Sequence, residues 1–327
     1  VYKRQILNRF FLLIIAIILG VFYKRFIDKY DRENELKRSQ LIRHYLLNDT
    51  DIATSALPIL WIHVPYELNS RSWESFNSRS SMELNLSYIH LSISSIIRHC
   101  GRDFKICLID DKSFHTLIPD WNTELDRVGS PLKEKIRFLA KLKLLKYYGG
   151  IFVPQSFMCL HSLKDIMYEG IKNNKPFVTD KINDTLNSGQ YIASTDIIGS
   201  IKNDPVIDEL IQLNELLISK DYTSTSDIMG RNEDILDKMI VSSKINVIDS
   251  KHFGIKDAKG KPIMLEDLFS RDYIMFDDLH YGILIPHSIL LKRTAYNWFC
   301  KLNEEEVLTC DNILCKYFLT SYGSKKM

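Results

Sequence analysis

The chain has 327 residues, of which 45% are hydrophobic and 26% are charged, and its formal net charge is +2. This composition is typical of a globular protein. The nearly balanced charge argues against a general nucleic-acid-binding protein, which usually concentrates basic residues on one face. The six cysteines form no CxxC pair and no Cys/His cluster with zinc spacing, which favours free or buried thiols over a zinc site.

Residues 10–23, FFLLIIAIILGVFY, are the most apolar run of the chain, and basic residues flank both of its ends. The run is short for a bilayer, which needs about 20 residues, but neighbouring apolar residues extend it and the flanking Lys and Arg side chains can reach the interface. We therefore expect a membrane anchor in 1–27. A cleaved signal peptide would need small residues at a cleavage site, and a buried helix is rarely so apolar on all sides.

A charge-dense stretch over 28–55 follows the anchor and predicts a solvated helical stem. The globular domain is then expected over 56–327. We expect a single-pass membrane protein with the domain C-terminal to the anchor. Because basic residues lie on both sides of the apolar run, the side of the membrane stays open.

The globular part opens with a predicted β-α-β unit. Apolar runs at 59–64 and 104–110 predict two strands, and 86–100 predicts the helix between them. Sequential strands with a crossover helix imply a parallel, Rossmann-like sheet. The second strand ends in Asp110 and Asp111, which are the best-placed acids for catalysis because ligands bind at the carboxyl ends of such strands. Either acid could instead cap the following helix.

The stretch 131–165 predicts a helix, a tight turn and a short strand. Three of the basic residues of the helix fall four apart and share one stripe: Lys133, Arg137 and Lys141. Gly149 and Gly150 would end the helix, because glycine adopts a left-handed backbone at little steric cost. Residues 151–153 predict the strand, which Pro154 stops.

The run LLKYYGGIF, with HSL downstream, resembles glycosyltransferases that carry a DXD sugar-binding region, and the related capsular polysaccharide synthesis proteins. Their pattern is roughly S-D-x-x-R-x-x-x-L-x-x-Y-G-G-[IV]-x-x-D-x-D. The strand LPILWIHVP stands where that family opens its domain with I-P-K-I-[IW]-[HW]. Most of the chain is also similar to uncharacterised membrane-anchored, glycosyltransferase-like proteins of giant DNA viruses.

The resemblance implies an α/β, GT-A-like fold, the fold of nucleotide-diphospho-sugar transferases, with a Rossmann-like mixed sheet flanked by helices. Counting back from Gly149, the family's Arg falls on Lys141 and its Asp on Phe138. After the Gly-Gly turn the sequence is VPQSF, so no acid occupies the DXD region. Since Mg²⁺ and Mn²⁺ require hard oxygen ligands, we expect no divalent metal bound at this position, and a nucleotide sugar would be substrate rather than cofactor.

The resemblance also implies substrate-binding positions. Trp61 and His63 would lie beside a nucleotide base, although both are equally compatible with packed strand residues. Asn187 would bond a sugar, unless it only forms a turn in NSG. His280 would take the place of the family's late His, which holds metal or phosphate. The full set of expected substrate-binding residues is Trp61, His63, Lys141, Gly149, Gly150, Gln155, Ser156, Asn187 and His280.

Three functions are compatible with these features. The first is an anchored glycosyltransferase that acts on a glycan and uses Lys, Arg or His in place of a DXD-bound metal. Its base would be Asp110 or Asp111, with Asp180 and Asp277 as open alternatives. The second is an inactive glycosyltransferase fold that serves as a structural or interaction module, in a virion or host endomembrane. The third is an unrelated anchored α/β protein. No phosphate-binding P-loop, nucleophile elbow or HExxH motif is present.

Overall fold

The computed structural model describes residues 57–65, 86–182, 191–220 and 225–323. All of them belong to the second of the two units into which the chain divides, 47–327. The predicted anchor in 1–27, the stem over 28–55 and Asn187 lie outside the described residues. Within the described ranges, no helix is both long and apolar enough to cross a membrane.

A mixed sheet organises the described part of the chain. Its strands are β1 (Ile59–His63), β2 (Lys105–Ile109) and β3 (Gly150–Phe152), and then β5 (Phe177–Ile182), β6 (Tyr191–Ser200) and β7 (Asn246–Ile248). Their order across the sheet is β2-β1-β3-β6-β5-β7. β1 pairs in parallel with β2 and β3, β5 pairs in parallel with β7, and β6 is antiparallel to both of its neighbours. A separate antiparallel pair is formed by β4 (Phe157–Cys159) and β8 (Gly282–Leu284).

Helices flank the sheet. They are α1 (Ser87–Cys100), α2 (Ser113–Leu117), α3 (Leu132–Tyr148), α4 (Lys164–Gly170), α5 (Pro205–Ser219), α6 (Thr225–Val241), α7 (Leu265–Phe269), α8 (His287–Lys292), α9 (Glu304–Thr309) and α10 (Ile313–Gly323). The predicted β-α-β unit is confirmed, because α1 joins β1 to β2 and these strands are parallel. The parallel-rich α/β architecture expected from the sequence is therefore present.

The apolar stripe of α3 forms much of the core. Leu142 and Leu145 are fully buried and belong to the same cluster as Trp61 of β1 and Phe152 of β3. Burial of each such side chain stabilises the fold by about 1.5–3 kcal/mol, as an upper estimate against an extended unfolded chain. Arg137 of the same helix is buried as well.

The Gly-Gly turn places β3 beside β1. Gly149 and Gly150 have φ values of 68° and 104°, which only glycine adopts readily. A Cβ atom on Gly150 would also lie 2.3 Å from the carbonyl oxygen of Ile59. The Nε1–H of Trp61 donates to the carbonyl of Gly149 at 2.9 Å and fixes the turn against β1. The predicted turn is therefore present, and both glycines are required by backbone packing.

The chain changes direction across the sheet at β1. From β1 it proceeds through α1 to β2 on one side, and later through α3 to β3 on the other side. In open α/β sheets such a reversal leaves a crevice outside the carboxyl ends of the two diverging strands. The residues that follow β1 and β3 lie at this crevice.

Candidate functional site

A cavity of about 560 Å³ occupies the crevice. His63 and Pro65 approach it from the end of β1, and Pro154, Gln155 and Ser156 approach it from the end of β3. The basic stripe of α3 forms a second wall, and residues of β6, α7 and α8 complete the lining. The lining also includes Glu134, Arg137, Phe138, Lys141, Lys181, Asp196, Glu266, His287 and Arg293.

A buried network supports the wall between β1 and α3. The guanidinium of Arg137 donates to both carboxylate oxygens of Asp111, with its Nη2 to Oδ2 distance at 2.7 Å and its Nε to Oδ1 distance at 3.0 Å. His63 Nε2 lies 2.9 Å from Asp111 Oδ1. Arg137 Nη1 also donates to Glu134 at 2.9 Å. Because Arg137 is only 5% exposed, these contacts provide the partners that a buried cation requires.

The network fixes the charges of its members. Burial opposes ionisation of Asp111, but hydrogen bonds from His63 and Arg137 outweigh it and hold the pKa of Asp111 well below its usual range. Burial lowers the pKa of His63 to about 4, although its bond to Asp111 acts in the opposite direction. At neutral pH, His63 is therefore an uncharged ring that donates its Nε2–H to a charged Asp111.

Lys141 lies one helical turn beyond Arg137 and also lines the cavity. Its ammonium is 5.9 Å from the centroid of the Phe152 ring and makes no ion pair with any residue that the structure describes. Burial lowers the pKa of Lys141, and the negative charge of Asp196 opposes this shift. Lys141 thus presents an amino group with unfilled hydrogen-bonding capacity at the cavity wall, and a bound anion would favour its charged form.

Asp196 reaches the cavity through an irregularity in β6. Val178 of β5 pairs with Ile198, but the next residue, Thr179, pairs with Ser194, so 195–197 have no partner on β5. Such bulges re-aim side chains. Asp196 lines the cavity as an exposed carboxylate that forms no ion pair with the described residues.

Sequence reasoning missed Asp196. The sequence analysis places a sugar-binding side chain in this region at Asn187, which lies outside the described residues. Asp196 stands nine residues later, on β6, and no local motif distinguishes it from the other acids of the chain.

The segment after β3 lines the cavity. The Oε1 atom of Gln155 is buried without a hydrogen-bond partner, which leaves an acceptor to be satisfied at the cavity wall. Ser156 donates its hydroxyl to the carbonyl of Ile285 at 2.9 Å and ties this segment to the residues after β8. The structure therefore brings together His63, Lys141, Gln155 and Ser156 from the predicted set.

Other predicted site residues lie outside the cavity lining. Trp61 is fully buried in the core, and Gly149 and Gly150 form the turn behind it. Asp110 accepts hydrogen bonds from the backbone N–H and hydroxyl of Ser113 at 2.8 and 2.6 Å, so it caps the turn that begins α2. Asp111 is behind the wall, bound by Arg137. These residues stabilise the sheet and its turns next to the cavity and do not line it.

The late histidine at the cavity is His287, and not His280 as the sequence predicts. His280 stacks on Phe276 and its Nδ1–H donates to the carbonyl of Asp277 at 2.8 Å, outside the cavity lining. His287, at the start of α8, lines the cavity instead. The Tyr88 hydroxyl lies 2.5 Å from His287 Nδ1, and because burial raises the pKa of Tyr88, this hydroxyl stays protonated and donates. His287 then carries its proton on Nε2, as a donor on a cavity-lining ring.

In the described part of the chain, no group of three or more His, Cys, Asp or Glu side chains is arranged to hold a metal ion. All six cysteines are free thiols. The carboxylates that line the cavity are Glu134, Asp196 and Glu266, which come from different elements and do not form such a group.

No known family model matches the chain, and no characterised protein sequence matches it. Among solved structures, it is similar to the apo-form glycosyltransferase GlyE of Streptococcus pneumoniae TIGR4, with 9% identity and a TM-score of 0.35 over 60% of this chain and 46% of that one. It is also similar to 4-diphosphocytidyl-2C-methyl-D-erythritol synthase from Anaerococcus prevotii DSM 20548, with 11% identity and a TM-score of 0.33 over 73% and 100%. The chain spans about half the length of GlyE. Both TM-scores are too low to establish a common fold.

Proposed function

We propose that the cavity binds a nucleotide sugar, and that the domain is a GT-A-like glycosyltransferase that transfers the sugar to a glycan without a DXD-bound metal. One observation carries the proposal: the amino group of Lys141 and the carboxylate of Asp196 line a cavity at the switch point of the sheet, and neither forms an ion pair with any described residue. A polar ligand is the natural partner of both.

Each of the two groups has a distinct role. The acceptor hydroxyl oxygen attacks the anomeric carbon, the bond from that carbon to the phosphate oxygen breaks, and its electron pair stays on the phosphate. Lys141 stabilises the charge that develops on this oxygen, which is usually the largest contribution to such a step. Asp196 accepts the proton of the acceptor hydroxyl as general base. His63 and His287, both uncharged, orient the ligand by hydrogen bonds.

Binding without catalysis is the second candidate function, and one observation favours it. The acids expected as base, Asp110 and Asp111, are both engaged in structural hydrogen bonds. If Asp196 does not act as base, the cavity retains a ligand-binding wall but no described carboxylate that is free of an ion pair. The domain would then be an interaction or structural module with a ligand-dependent stability.

Thermal unfolding of the full chain with UDP-, GDP- and CMP-sugars, with and without Mn²⁺, tests the proposal. A donor at a hundred times its Kd stabilises the native state by about 2.7 kcal/mol and raises the midpoint. Lys141→Met should abolish the rise. Lys143→Met is the matched control, since Lys143 lies on the same helix, pairs with Glu215 at 2.8 Å and is not part of the cavity lining.

Release of free nucleotide in the presence of glycan acceptors separates the two candidates. A midpoint rise with nucleotide release that Asp196→Asn removes supports transfer. A rise without release for any acceptor supports binding alone. The absence of a rise with every donor contradicts both candidates, and a strict requirement for Mn²⁺ contradicts metal-independent transfer. Attachment to a virion or host endomembrane through residues 10–23 stays a prediction of the sequence.

A further inference from the structure

The ion pairs around the cavity limit the charge of the ligand that it can hold. Within the described residues, four Lys and Arg side chains line the cavity. Three of them already have carboxylate partners, and the fourth is Lys141. The three are Arg137 with Asp111 and Glu134, Lys181 with Glu233, and Arg293 with Glu266.

The remaining polar groups of the wall add no positive charge. His63, whose pKa is about 4, and His287, whose pKa burial also lowers, are neutral rings at neutral pH. Gln155 contributes an amide, and Asp196 contributes a negative charge. These groups can donate or accept hydrogen bonds to a phosphate, but Lys141 alone can neutralise one.

A charge moved from water into a partly desolvated site costs free energy, and a counter-charge beside it offsets that cost. A phosphodiester carries one negative charge, which Lys141 can match. A diphosphate diester carries two, and the second would add to the negative charge of Asp196, with no further unpaired Lys or Arg among the described lining residues to balance it. In DXD enzymes a metal ion could supply that charge, but among the described side chains no three His, Cys, Asp or Glu are arranged to hold one.

We propose that the sugar donor is linked to its nucleoside through a single phosphate, so that the leaving group is a nucleoside monophosphate rather than a diphosphate. This inference depends on the proposed nucleotide-sugar site and specifies its substrate class. In this reaction the glycosidic bond forms as the bond from the anomeric carbon to the phosphate oxygen breaks. The electron pair of the broken bond leaves with the nucleoside monophosphate, and Asp196 takes the proton of the acceptor hydroxyl.

Two probes that share the same nucleoside isolate the phosphate charge: the methyl ester of UMP, with one negative charge, and the methyl ester of UDP, with two. Isothermal titration of the full chain in EDTA should show at least about tenfold tighter binding of the UMP ester, a difference of about 1.4 kcal/mol. Lys141→Met should remove most of the affinity for the UMP ester, and Lys143→Met should leave both affinities unchanged. Asp196→Asn removes a negative charge and should narrow the preference between the probes.

The outcomes separate this inference from the proposed function. If the UDP ester binds as tightly as the UMP ester in EDTA, or if Mn²⁺ makes the UDP ester the tighter ligand, the cavity is built for diphosphates and the inference is overturned while the proposed function stands. If neither ester nor any sugar nucleotide binds, the proposed function fails with it. If Asp196→Asn leaves the preference unchanged, the charge count does not govern selection, and the inference is likewise overturned.

Discussion

Asp111 is the residue whose replacement tests the buried network most directly. Asp111→Asn keeps the size of the side chain but removes the charge that accepts the guanidinium of Arg137 at 2.7, 3.0 and 3.2 Å and the ring of His63 at 2.9 Å. Arg137, only 5% exposed, would keep Glu134 as its described carboxylate partner. Breaking a buried ion pair in this way costs about 3–5 kcal/mol.

Urea denaturation of the full chain, monitored by fluorescence, measures this cost as a difference in the free energy of unfolding. In a thermal unfolding experiment, the same loss of about 3–5 kcal/mol should lower the midpoint temperature by roughly 10 °C. Asp110→Asn is the matched control, because the amide oxygen of Asn can still accept the Ser113 N–H, and its cost should stay below about 0.5 kcal/mol. Arg137→Met combined with Asp111→Leu should recover part of the loss, since a packed apolar pair often replaces a buried ion pair without penalty.

The cost of Asp111→Asn should also depend on pH. The pKa of Asp111 is lower in the folded state than its usual value of 3.8. Its contribution to stability is therefore present above about pH 4 and is lost as the pH falls through the folded-state pKa. The reasoning is refuted if Asp111→Asn costs no more than Asp110→Asn at neutral pH, or if the difference between them persists undiminished in strong acid.

Two further substitutions test the electrostatics and the backbone. The pKa of His63 falls from 6.5 to about 4 on folding, so the free energy of unfolding should decrease as the pH falls from 6.5 to 4, by up to about 1.4 kcal/mol per pH unit. His63→Gln should flatten this pH dependence. His115→Gln, which replaces an exposed ring, should leave it unchanged. Gly150→Ala should cost more than about 3 kcal/mol, because its φ is 104° and the new Cβ would lie 2.3 Å from the Ile59 carbonyl oxygen. Gly260→Ala, with φ 82° and open space around it, should cost only about 1 kcal/mol in the same unfolding assay; equal costs would contradict the steric argument.

The elements around the site were predictable because their signals are local. The apolar run of β1, the helical period of α3 and the Gly-Gly turn each depend on residues that are near neighbours in sequence. The stripe that contains Arg137 and Lys141 follows from helical spacing alone, and both residues do line the cavity. The short strand β4 gave no comparable signal, since it is three residues long and is defined by its pairing with β8.

The composition of the site was predictable only in part. Lys141 and Gln155 were identified from their positions relative to the Gly-Gly turn, and the structure places both at the cavity. Asp196 and His287 were missed because a bulge and a distant tyrosine determine where their side chains lie. His280 and Trp61 have suitable chemistry, but packing places them elsewhere.

The sequence by itself determined the elements, the basic stripe of α3 and the absence of acids directly after β3, because periodicity, glycine backbone and residue identity are properties of the chain. Only the tertiary structure decided which charges remain available. Arg137 and Lys141 are one turn apart on the same face, yet Asp111, from the end of a different strand, neutralises the first and not the second. Charge compensation depends on distances between groups that are remote in sequence, and these distances exist only once the sheet has formed.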